Sequence, residues 1–169
     1  MKRRILMIVT IICGALLQQI LPVWPIFGGI KPPILAALSL HYALRRDNRD
    51  MWLAVITAAL LHDGLEVGPF GPAIATFPII GFLANRIRTE VFADDLPLQL
   101  MFGAVIGLFV TLVTLLAYSA FGLRPFHFGM AVLRLIGGLI LGMTTLPIIS
   151  HMTVKLESIL PKSRGHGWL

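Results

Sequence analysis

The chain has 169 residues, of which 57% are hydrophobic and 13% charged, with a mean hydropathy of +0.87; so apolar a chain does not have water as its main solvent. A net charge of +6 does not point to nucleic acid, because the basic residues sit between apolar spans and not on one soluble surface. The single cysteine, Cys13, lies in the first apolar run, which excludes an intrachain disulfide and a multi-thiolate metal site.

A bilayer core is roughly 30 Å thick and a helix needs about 20 residues to cross it. This length allows five or six crossings with short connections, and the charge pattern below selects six: an all-α polytopic membrane bundle, one domain of six transmembrane helices over residues 1–155, then a short cytoplasmic tail over 156–169. The start, Lys2-Arg3-Arg4 and the apolar run from Ile5 to Leu17, resembles a signal peptide. No small-x-small site follows, and apolar sequence continues to Val23, which suits a retained first span. Pro22, Pro25, Gly28 and Gly29 make the next stretch a loop.

The second span, about Pro32 to Leu44, is short for a crossing. Either Trp24 to Ile30 adds to its depth or the bilayer thins around it. The cluster Arg45 to Asp50 is a surface loop. A third run starts at Met51, meets His62-Asp63-Gly64 and breaks at Gly68-Pro69 and Gly71-Pro72; a fourth covers Ala73 to Ala84. With Pro69, Pro72 and Pro78 so close together, this pair is expected to be short, kinked or partly re-entrant. Arg86, Arg88, Glu90, Asp94 and Asp95 form another surface loop, and Leu96 to Leu123 and Phe126 to Ser150 are the fifth and sixth spans.

Six spans put residues 2, 3, 4, 45, 46, 49, 86, 88, 155, 162 and 164 on one face, eleven Lys or Arg in all, and only Lys31 and Arg124 on the other. Short cytoplasmic loops are enriched in positive residues, so both termini are expected in the cytoplasm. Trp24, Trp52 and Trp168 fall near the expected interfaces, where indole rings are shared between lipid and water.

Ionisable side chains inside a span are costly and are retained for a reason. Asp63 is twelve residues after Met51, about 18 Å along a helix, and Arg134 falls at a similar depth. The expectation is that Asp63 and Arg134 face the interior and pair, with Glu66 as the alternative partner. Such groups either hold helices together, the preferred reading, or line a ligand or proton path. His62 beside Asp63 does not make a catalytic pair, because adjacent residues point to different sides of a helix. His41, His127, His151 and His166 lie in other segments, and HExxH, CxxC and GxSxG are absent from the sequence. No catalytic residue, cofactor or metal is expected. Two small-xxx-small pairs, Gly103 with Gly107 and Gly138 with Gly142, suggest close packing of spans five and six, with a partner-binding face as the competing use.

The order of segments resembles the rod-shape-determining MreD family. The stretch Leu60-Leu61-His62-Asp63-Gly64-Leu65-Glu66-Val67-Gly68-Pro69-Phe70-Gly71 is similar to that family's helix ending in an aspartate, followed by a glycine-bearing turn. Ile79-Ile80-Gly81-Phe82-Leu83-Ala84-Asn85-Arg86-Ile87-Arg88 resembles its exit to a basic loop, and Leu21-Pro22 and Lys31-Pro32-Pro33-Ile34-Leu35 its first outer loop and second-helix start. Pro33 stands where the family often has an acidic residue.

The resemblance implies a non-enzymatic subunit of the bacterial wall-elongation machinery, in the bacterial inner membrane. Its partners would be membrane lipids, MreC, the MreB filament, RodA and a transpeptidase, with no nucleic acid. It also implies a fold similar to the six-helix substrate-binding subunits of energy-coupling-factor transporters. His62, Gly64, Gly68, Pro69 and Gly71 would belong to a membrane-break motif around Asp63. A small-solute transporter subunit is the alternative. Against it, span one lacks the Ala-xxx-Ala pattern of those subunits, and Ala54 and Ala58 supply that spacing only in span three.

Overall fold

A computed structural model of the chain describes residues 2–66, 68, 70–87, 95–123 and 127–158. Pro69, Arg88, Glu90, Asp94, Arg124, Phe126 and everything after Ser158, including Lys162, Arg164, His166 and Trp168, lie outside the described residues. Six α-helices account for most of what is described: α1 Lys2–Ile20, α2 Ile34–Arg45, α3 Asn48–Leu65, α4 Pro72–Ile87, α5 Leu96–Ala120 and α6 Phe128–Ser158. Among the described residues the extended pairing is one isolated bridge, Trp24 with Ile30, around a 3-10 turn at Pro25–Phe27.

Local chemistry sets these limits. α1 ends just before Pro22, since a proline restricts the residue before it and cannot donate to a helical ladder. α4 starts on Pro72, at a position where a missing N–H forfeits no intrahelical bond. Asp50 lies in the first turn of α3, where a carboxylate complements the helix dipole.

The clustered prolines predict a short, kinked or partly re-entrant pair; α3 and α4 are helices of 18 and 16 residues, about 27 and 24 Å long and so shorter than a hydrocarbon core of roughly 30 Å. Pro72 occupies the first turn and α4 runs on through Pro78, so the break is confined to the turn between the two helices. α6 likewise runs through Pro147 and continues to Ser158, past the expected end of the sixth span at Ser150 and of the domain at 155.

Polar side chains identify which helix ends lie together. Arg4 Nε donates to Asp50 Oδ1 at 2.7 Å, tying the start of α1 to the start of α3. Arg46 Nη2 donates to Glu157 Oε1 at 2.6 Å, joining the ends of α2 and α6. Asn85 Nδ2 donates to Asn48 Oδ1 at 3.5 Å. Arg3, Arg4, Arg45, Arg46, Arg49, Arg86 and Lys155 therefore share one end of the bundle, the basic end, and Lys31 lies at the other. Arg4 is well exposed, so its ion pair marks register more than it adds stability.

α2 is the axis of the fold. It packs against each of the other five helices, and every residue from Ile34 to Ala43 is buried. Around it, the core is mostly apolar, with a minority of buried polar groups, and the outer surface is apolar as well. Gln18, Ser39, His41, Thr76, Thr145, Ser150 and Thr153 are buried, with His41 Nδ1 3.1 Å from Ser150 Oγ across α2 and α6. On α1, Ile5, Val9, Ile12, Leu16 and Ile20 are exposed at helical spacing, up to 80% at Ile20. Apolar stripes of this extent are a hazard in water and the solvated face in lipid. Three helices, α1, α5 and α6, are long and apolar enough to cross a membrane.

α5 and α6 approach closely through glycine. A Cβ at Gly107 would lie 2.8 Å from Gly142 Cα, and one at Gly142 would lie 2.7 Å from Gly107 Cα. A Cβ on Gly103 would meet the Gly142 carbonyl oxygen, and one on Gly138 would lie 2.8 Å from Thr111 Cβ. Backbones this near each other gain dispersion contacts that larger side chains would prevent.

Candidate functional site

The central helix is the shortest of the six. The 12 residues of α2 rise about 18 Å, against roughly 30 Å for a hydrocarbon core. The space along its axis beyond Ile34 is therefore left to other groups. It holds a cavity of about 300 Å³ at the end of the bundle opposite the basic end. Residues of α1, the 21–33 segment, α3, α5 and α6 line it, and its walls are the α1/α3 pair and the α5/α6 pair.

The 21–33 segment covers this space by seating on α6. Gly28 and Gly29 take left-handed backbone conformations, φ 71° and 78°, which only glycine adopts without strain. The Gly28 carbonyl then accepts from Arg134 Nε at 3.0 Å. A Cβ at Gly137 would lie 2.6 Å from Phe27 Cβ, so α6 is bare of side chain where the segment lands. Trp24 to Ile30 thus folds as a turn against α6 and not as another turn of α2.

Gln18 and Gln19, adjacent near the end of α1, organise the α1/α3 wall. Gln18 is 2% exposed. Its Oε1 accepts from the Leu35 backbone N–H at 3.0 Å, satisfying a donor of the first turn of α2, and its Nε2 lies 3.5 Å from Glu66 Oε1. Gln19 Nε2 donates to the Leu65 carbonyl at 2.9 Å, and its Oε1 accepts from Lys31 Nζ at 3.3 Å. His62 also faces the cavity, with Nε2 3.8 Å from Glu66 Oε1 and its ring edge-on to Phe77 at 5.4 Å. Opposite stand Thr111, Thr114, Tyr118 and Arg134.

Asp63 has a different task from the one expected of it. Its Oδ2 accepts from the N–H groups of Gly71 and Ile74 at 3.0 and 2.9 Å, and its Oδ1 from Ala73 N–H at 3.0 Å. The carboxylate thus caps the start of α4 from the neighbouring helix, where the orphan donors and the positive end of the dipole both favour an anion. It is not paired with Arg134. The reason is proximity: two N–H donors of α4 and that of Gly71 just before it reach the carboxylate directly, while Arg134 donates to the Gly28 carbonyl on the far wall. Glu66, the alternative partner, shares the cavity with Arg134.

The glycines of the 64–71 stretch differ among themselves. Gly71 has φ 126°, a conformation essentially reserved for glycine. A Cβ at Gly68 would lie 2.7 Å from Tyr118 Cζ, so this glycine makes room for a cavity-lining ring. Gly64 has nothing within 4 Å of a built Cβ. Pro69 lies outside the described residues.

Residues that sequence reasoning passed over are Gln18, Gln19, Thr114 and Tyr118, and Lys31 entered it as a charge to count and as the start of a family-like stretch, without a role at a site. The legible signal was the amide pair Gln18-Gln19 inside an otherwise apolar helix. Chemically the cavity offers cations, a carboxylate, amides and hydroxyls around an apolar strip of Val23, Val110 and Leu115. Among the described residues no three His, Cys, Asp or Glu side chains cluster as metal ligands would. Compared with models of protein families, with curated proteins and with solved structures, the chain finds no match.

Proposed function

We propose that the chain is a six-span membrane protein with both termini in the cytoplasm, acting as a non-enzymatic adaptor of bacterial cell-wall elongation, as its resemblance to the MreD family implies. The observation that carries this reading is the apolar outer surface of the bundle, with large apolar side chains exposed along α1, α5 and α6, the three helices long and apolar enough to cross a membrane. Such a surface meets lipid and the spans of other membrane proteins through packing. The gathering of basic residues at one end supports the orientation. On this reading MreC, MreB, RodA and the transpeptidase are the partners.

Depletion in the host is the test. Rod-shaped cells are expected to round up within a few generations and to lose their pattern of wall insertion. Cells that stay rods with normal insertion overturn the elongation role. The cavity favours a second reading, a membrane subunit that binds a small solute, because a polar pocket within a lipid-facing bundle has no evident use in an adaptor.

A further inference from the structure

At the basic end, two short contacts gather three helix ends at one corner. Arg4 with Asp50 joins the start of α1 to the start of α3, and Asn85 with Asn48 brings the end of α4 to the same place. The neighbours of these residues in sequence, Arg3, Arg49 and Arg86, are exposed. With Arg4 they set four guanidinium groups among the described residues of this corner against two carboxylates, Asp47 and Asp50, and Arg4 already engages Asp50. Arg3 and Arg49 stand in the first turns of α1 and α3, the positive ends of the helix dipoles, where a cation is disfavoured and an anion is stabilised. Arginine also holds six of the seven basic positions named at this end, Lys155 being the seventh. A bias of charge alone is served equally well by lysine, whereas the planar guanidinium fork fits a phosphate.

Large apolar side chains lie deeper on the same three helices. Ile5 on α1 is 59% exposed, Leu53, four residues after Arg49, is 40% exposed, and Phe82, four residues before Arg86, is 57% exposed. Residues four apart share a helix face, so Arg49 stands above Leu53 and Arg86 above Phe82. We propose that the corner formed by α1, α3 and α4 binds an anionic phospholipid, with its headgroup phosphate held by Arg3, Arg49 and Arg86 and its acyl chains along Ile5, Leu53 and Phe82. A free anion or an acidic peptide matches the arginines and leaves the apolar row beneath them without a use. A lipid of no net charge matches the apolar row and leaves the excess of arginine uncompensated. The inference rests on the membrane reading and not on the elongation role, so cell shape and lipid binding fail separately.

The test uses the full chain, purified and delipidated in a maltoside detergent, with binding read by native mass spectrometry and by the shift in thermal midpoint. The probes are phosphatidylglycerol, phosphatidylcholine as a phosphate lipid of no net charge, inorganic phosphate, and poly-glutamate as an acidic chain without a lipid tail. The wild type is expected to prefer phosphatidylglycerol over phosphatidylcholine by about tenfold, the scale of a few basic side chains acting on an anionic headgroup. The triple variant Arg3→Gln, Arg49→Gln, Arg86→Gln should bring phosphatidylglycerol down to the level of phosphatidylcholine. The matching triple lysine variant keeps the charge and loses the fork, so it should retain part of the preference. Equal binding of the two lipids by the wild type overturns the proposal without recourse to any variant, as does binding of no probe. A preference that persists in the monodisperse glutamine variant overturns it as well. Binding of inorganic phosphate or poly-glutamate as tight as that of phosphatidylglycerol overturns it in favour of a free anion or an acidic protein.

Discussion

Asp63→Ala is expected to lower the stability of the detergent-solubilised protein by about 2–4 kcal/mol, more than any other single truncation outside the apolar core. The carboxylate is 8% exposed and accepts three backbone N–H bonds from Gly71, Ala73 and Ile74. Alanine leaves those donors at the start of α4 without an acceptor, in a place that water reaches poorly, and removes the anion facing the helix dipole. Asp63→Asn keeps one acceptor oxygen and loses the charge, so it should fall between wild type and alanine. Thermal unfolding followed by size-exclusion chromatography ranks the three proteins. An Asp63→Ala variant as stable as wild type would remove the capping account. The same ranking separates the cap from an ion pair with Arg134, because a cap predicts no rescue when the charges of Asp63 and Arg134 are exchanged.

Gly107→Leu is the second large effect, from overpacking. Its Cβ would lie 2.8 Å from Gly142 Cα and nearer still to the Gly138 carbonyl oxygen, and both obstacles are backbone that no rotamer change can move. α5 and α6 must separate, with a cost of at least about 1–3 kcal/mol and loss of the contacts along their shared glycine face. Gly129→Ala, on the same pair of helices but with nothing within 4 Å of the built Cβ, is the control and should change stability by no more than about 0.5 kcal/mol. Equal melting of the two variants would mean that the α5/α6 approach is looser than its glycines indicate. Gly138 also lines the cavity, so the Gly107→Leu protein should have a reshaped cavity as well as lower stability.

The helical fold was open to reading because hydropathy and proline position act locally. Six apolar runs separated by charged or proline-glycine stretches correspond to six helices, and the ends of α1 and α4 follow from Pro22 and Pro72 alone. The cavity was less legible for physical reasons. That α2 is short could be counted, but that it stands at the centre of the bundle, so that its missing length leaves an open pocket between its neighbours, depends on which helices touch. The partner of Asp63 was hidden because backbone N–H groups carry no signature in sequence. A buried aspartate therefore invites a search for an arginine when a helix terminus lies closer. Arg134 is held by the Gly28 carbonyl, a backbone acceptor equally invisible in the sequence, though the glycine pair that positions it was read as a loop. Periodicity did mark Gly103, Gly107, Gly138 and Gly142 as a close-approach surface, since four-residue spacing survives any change of partner.

All of this depends on the chain crossing the membrane with the cavity end outside. Single cysteines in a Cys13→Ser background measure that directly, with Phe70→Cys and Ser119→Cys at the cavity end and Asp47→Cys and Ser158→Cys at the basic end, all four positions being exposed. In intact cells stripped of their outer barrier, a membrane-impermeant maleimide should label the first two, and the last two only after the inner membrane is opened. Labelling of Asp47→Cys from outside, or protection of Phe70→Cys until permeabilisation, would contradict the six-span arrangement and the cavity's exposure to the outer face.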